Sequence, residues 1–105
     1  PVDLIKIDVE GAELDVLAGA AATIERNQDI ALIVEFGFSH LRRTEHTTQD
    51  WLRAFEKFGL CFQAIEPSTG ALLDWSAAQL ESADSMNLLF ARPGSKAWER
   101  ARGHA

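Results

Sequence analysis

The 105-residue chain has a single cysteine, Cys61, so no internal disulfide can support it. Set in the apolar run LCFQAI, Cys61 reads as a small buried hydrophobe. No apolar run approaches the roughly 18 to 20 residues that span a bilayer, and no signal-like or transit-like start is present. The expectation is therefore a cytoplasmic protein with no membrane partner. Glycines are scattered, with Gly19, Gly37, Gly59 and Gly70 each standing alone, so none of them forms a phosphate-cradling loop. There is no internal repeat and no low-complexity segment.

Apolar material is ample: 47% of the residues are hydrophobic, with three Trp and six Phe, enough for a core in one domain of this length. The net charge of −6 is unevenly spread. Arg92 to Ala105 holds four basic residues and one Glu, so the rest of the chain is strongly acidic, which disfavours nucleic acid as a partner. Residues 1–93 read as the folded domain and 94–105 as a basic tail, helical or frayed.

Residues 2–9 carry Leu4, Ile5, Ile7 and Val9, the near-continuous apolar run of a strand covered on both faces. Past Gly11, the spacing of Leu14, Leu17, Ala18, Ala21 and Ile24 predicts one helix over about 12–26. IALIVEF (30–36) is a second buried strand, and strand–helix–strand implies a parallel pair joined by a right-handed crossover. Thr47 and Asp50 form a capping box for a helix whose face carries Trp51, Leu52, Phe55 and Phe58 and which stops at Gly59. LCFQAIE predicts a third strand, PSTG a turn, ALLDW a short return, Ser76 the cap of a brief helix, and MNLLFAR a last strand before Pro93. The whole is an α/β pattern.

Lys6, Asp8 and Glu10 alternate along the first strand and so point to one side of it. Acids delivered at the carboxyl end of a strand stand where open α/β sheets bind ligands. Glu35 ends the neighbouring strand, so Asp8, Glu10 and Glu35 are candidates for a convergent acidic site, and His40, just beyond, for a base or ligand. Such a site could hold a divalent cation through oxygen ligands or supply a general base, and the spacing leaves the choice open. The bland account pairs Lys6 with Asp8 or Glu10 and makes Glu10 a helix cap. Arg42 and Arg43 could clamp an anion, although solvated loop charges are the commoner use.

The run IKIDVEGAELDVLAGA, followed by ALIVEF, resembles the second half of the FkbM-type methyltransferases, S-adenosylmethionine-dependent enzymes on a Rossmann-like sheet. The resemblance covers Val2 to about Gly37. It implies the C-terminal half of a class I methyltransferase sheet, of order 3-2-1-4-5-7-6. This chain would supply its parallel strands four to six and a final antiparallel strand, 86–92, inserted between the second and third. It implies O-methylation of a small-molecule or sugar hydroxyl, with Asp8 beside the cofactor's methionine end and the acceptor oxygen, and Glu10 and Glu35 as hydrogen-bond or metal ligands. The glycine-rich cofactor loop belongs to the other half, so this chain would provide the substrate-side wall, be inactive alone, and expose its first strand to self-association. Two other readings stand beside it. IKIDVEG has the outline of the haloacid-dehalogenase phosphohydrolase strand, but Glu10 and Ala12 replace the Asp and Thr or Ser usual there; the second is a non-catalytic α/β dimerisation or binding module.

Overall fold

A computed structural model describes residues 4–7, 13–37, 47–83, 85–96 and 98–99. Five strands form one sheet: β1 (Leu4–Ile7), β2 (Ala31–Gly37), β3 (Cys61–Ile65), β4 (Leu72–Leu73) and β5 (Ser85–Ala91), in the order β1-β2-β5-β3-β4. β1 runs parallel to β2, with Leu4 opposite Ala31 and Ile7 opposite Val34. β5 lies antiparallel between β2 and β3, which are therefore parallel to each other. The last strand thus inserts between the second and third, as the resemblance implies, and the fold is a mixed α/β sheet of partial Rossmann-like form. β4 returns antiparallel beside β3 through a turn in which Gly70 has φ 75°.

Four helices connect the strands among the described residues: α1 (Glu13–Gly19), α2 (Ala21–Arg26), α3 (Thr48–Glu56) and α4 (Ala77–Glu81). The single helix expected over 12–26 is interrupted. Ala20, at φ −95° and ψ 3°, separates α1 from α2, next to Gly19, a weak helix former. α3 opens with the expected capping box: Asp50 N–H donates to Thr47 Oγ1 (3.1 Å) and Thr47 N–H to Asp50 Oδ2 (3.4 Å). α4 repeats the device with Ser76 and Gln79. Gly59, at φ 78°, lets the chain leave α3 toward β3.

Strand alternation divides the sheet into two unlike faces. One carries Ile5 and Ile7, then Leu32, Val34 and Phe36, Leu88 and Phe90, and Phe62 and Ala64. All of these join one core cluster with Leu17, Ile24, Trp51, Leu52, Phe55 and Leu80 from the helices. Trp51 packs edge-on to Phe36 at 5.0 Å, and Phe55 stacks on Phe90 at 4.1 Å. No residue of the alternate set belongs to that cluster. That other face carries Leu4, Lys6, Ile33, Glu35, Asn87, Leu89, Cys61 and Gln63.

Two expectations change as a result. The apolar run of β1 reads as a strand covered on both faces, yet among the described residues helices cover one face only, and Leu4 is 54% exposed. Cys61, expected to be buried, is exposed, because alternation places it at the start of β3 on the face that the helices do not cover.

Arg92, counted by sequence with the basic tail, is an internal anchor. Its Nε donates to Phe58 O (2.9 Å), Nη1 to Asn27 O (2.8 Å) and Nη2 to Ile24 O (3.1 Å). One guanidinium thereby ties the end of α2 to the turn after α3, its Ile24 and Asn27 acceptors also taking the Asn27 and Ile30 N–H groups. Beyond it, Lys96 N–H donates to Asp29 Oδ1 at 2.8 Å.

Candidate functional site

β1 and β2 run parallel, so their carboxyl ends lie side by side, about 5 Å apart. Of the four residues proposed from sequence for this edge, Glu35 is described; Asp8, Glu10 and His40 lie outside the described residues. Glu35 is half-buried on β2, and among the described residues its carboxylate has no hydrogen bond or ion pair. Lys6 points to the same face from β1, paired in register with Ile33, but forms no ion pair with Glu35. The bland account, which pairs Lys6 with Asp8 or Glu10, falls on acids outside the described residues.

Asn87 is a neighbour that sequence reasoning missed. The antiparallel register sets Asn87 of β5 directly opposite Glu35, where Cβ atoms stand about 4.5 to 5.5 Å apart. A carboxylate acceptor and an amide that both donates and accepts thus share the helix-free face at the ligand-binding end of β2. The signal in the sequence was a lone polar residue inside MNLLFA; its partner could be named only once the strand order was known.

Further across the same face, Gln63 of β3 is 5% exposed, and its Nε2 donates to Asp74 Oδ1 at 2.7 Å. Its Oε1 has no partner, and neither does Oγ1 of Thr48 in the first turn of α3. Each such buried atom costs about 1 to 3 kcal/mol relative to a satisfied one. Glu66, in the β3–β4 turn, is held below the usual glutamate range by the Ser68 backbone N–H, with the Thr69 hydroxyl and N–H adding to the effect. It belongs to the turn between β3 and β4.

Among the described residues no group of three or more His, Cys, Asp or Glu side chains could hold a metal ion. No described helix is long and apolar enough to cross a membrane. The family model of the Methyltransferase FkbM domain matches residues 1–60. That span takes in β1, α1, α2, β2 and α3, and with them the four residues proposed from sequence for the carboxyl edge; Asn87 lies beyond it. No curated protein and no solved structure matches the chain.

Proposed function

The chain belongs to the FkbM methyltransferase family, and from that premise we propose that it forms the acceptor-side wall of an S-adenosylmethionine-dependent O-methyltransferase. The observation that carries this reading is the Glu35 carboxylate at the carboxyl end of β2, without a partner among the described residues and with Asn87 opposite it. The acceptor is a small-molecule or sugar hydroxyl. Glu35 accepts the hydrogen bond of that hydroxyl and takes its proton as the oxygen attacks, a role worth about 10² to 10⁴-fold. Asn87 fixes a neighbouring polar atom of the acceptor, so that the attacking oxygen is held in line; such positioning is worth roughly 7 to 11 kcal/mol at its best. The family resemblance assigns Asp8 a role beside the cofactor's methionine end, and Glu10 and His40 remain candidate polar groups from the sequence.

The cofactor, when bound, supplies the electrophilic methyl group. The described residues offer no cradle for its nucleoside. Gly19 and Gly70 face open space, and Gly59 faces the Arg92 side chain at 3.8 Å. This chain is accordingly assigned the acceptor side, and a metal is not required by the roles given to Glu35 and Asn87. The family match favours this reading over the phosphohydrolase and the binding module.

Calorimetry of S-adenosylmethionine binding tests the assignment: the chain alone should bind weakly, and tight binding would overturn the idea that it is one wall of the site. In methyl transfer by the active protein, Glu35→Gln should lower kcat by about 10²-fold with little change in the KM for S-adenosylmethionine.

A further inference from the structure

On the helix-covered face, two adjoining hollows of about 230 and 320 Å³ share Leu52, Glu56 and Phe62. The larger continues past Arg53 to Trp75, and the smaller runs to Leu60 and Phe90. Gln49, Leu52, Arg53 and Glu56 follow the i, i+3, i+4, i+7 spacing that places them on one side of α3. The hollows therefore form one groove along that helix, roughly 13 Å long for its nine residues. Glu35 faces the opposite side of the sheet, so this groove is separate from the edge assigned above to methyl transfer.

Its chemistry is mixed in a definite way. Phe62 and Trp75 are half-buried and give aromatic surface, and Leu52 adds an aliphatic wall. Above them stand one cation and one anion. The Arg53 side chain is 65% exposed, and its nearest carboxylate oxygen, on Asp50, is 3.6 Å away. That is longer than the roughly 2.7 to 2.9 Å of a hydrogen-bonded ion pair, so its donors remain available. Among the described residues the Glu56 carboxylate has no hydrogen bond or ion pair, although Arg53 is one helical turn away. A ligand that uses both groups carries a carboxylate and an ammonium close together, joined to a flat apolar body. A dianion such as a phosphate monoester would meet Glu56 unfavourably, and a purely apolar body would leave both charges unused.

We propose that this groove binds a free aromatic α-amino acid, with its ring against Phe62 and Trp75, its carboxylate on Arg53 and its ammonium on Glu56. The larger hollow, at about 320 Å³, is at the lower end of the range for small-ligand sites. Ring-on-ring contact adds to burial at such a site, and each charge-assisted contact adds more than a neutral hydrogen bond would.

The test is a ¹H–¹⁵N NMR titration of the 105-residue chain with L-phenylalanine to about 10 mM, the range suited to a weak site. Saturable shifts should cluster at residues 49–62 and 75–77. Phenethylamine, which lacks the carboxylate, and 3-phenylpropionate, which lacks the ammonium, should each bind about tenfold more weakly. Arg53→Gln and Glu56→Gln should weaken L-phenylalanine by the same factor, and both positions are exposed, so the fold is not at stake. Absence of saturable shifts overturns the proposal. So does equal affinity for all three compounds, which would mean apolar adsorption; that comparison needs only the unsubstituted chain.

Discussion

On one face of the sheet, Val34, Leu88 and Phe90 lie sealed under α3 and its neighbours; on the other, Leu4 is 54% exposed and Glu35 and Asn87 stand side by side with no helix above them among the described residues. Both faces come from the same strands, residue by residue in alternation. The first face is stabilised by apolar area removed from water and by ring packing around Phe90, which contacts Trp51, Phe55 and Phe62. The second keeps polar groups available at the carboxyl edge, where open α/β sheets bind ligands. Stability and proposed chemistry are thus divided between alternate residues of single strands, and β2 shows it most plainly: Val34 and Phe36 hold the core, and Glu35 between them does not.

Adjacent residues of β5 give the sharpest means of breaking this comparison. Phe90→Ala, on the sealed face, should cost about 3 to 5 kcal/mol by urea unfolding. Leu89→Ala, on the other face, removes a side chain that is itself only 8% exposed, and should cost about 2 kcal/mol, at the low end for a buried leucine because among the described residues no helix packs on it. Equal losses would mean that both faces are packed alike.

Arg92 comes next in expected size. Its three hydrogen bonds tie the end of α2 and the turn after α3 to the end of β5. Arg92→Ala should lower stability by about 2 to 4 kcal/mol, since partly buried carbonyls lose a charged donor. Arg92→Lys should recover less than half of that loss, because a single ammonium cannot reproduce a planar fork that reaches three acceptors. Full recovery would show that charge alone matters there.

The smallest effect on stability is expected at Leu4, and it bears on the proposed self-association. β1 pairs with β2 on one side only among the described residues, and an unpaired edge with an exposed leucine invites a second copy. Leu4→Lys should change unfolding by less than about 0.5 kcal/mol and shift sedimentation at high concentration toward monomer. A chain that is monomeric before the substitution would remove this proposal.

Local features were legible in advance. The Thr47–Asp50 box, the Ser76 cap, the Gly59 exit and the Trp51, Leu52, Phe55 stripe each depend on a few neighbouring residues, and each is where the spacing put it. The insertion of the last strand between the second and third followed from the resemblance to a known fold and not from periodicity. What failed was whatever depended on partners distant in sequence. Cys61 sits in an apolar run yet is exposed, because covering is decided by where helices lie. The helix over 12–26 divides at Ala20 despite a continuous apolar stripe. Arg92 looked like tail charge because its three acceptors, at Ile24, Asn27 and Phe58, are far away along the chain.

The amino-acid sequence by itself determined the elements, their caps and the alternation along each strand, since these arise from interactions within a few residues. It also placed Glu35 at the end of its strand, beside the chemistry that the FkbM family implies. Only the tertiary structure decided which alternate set is sealed, that Asn87 faces Glu35, and that Arg92 is an anchor. Those outcomes depend on strand register and helix placement, which join residues the chain keeps far apart.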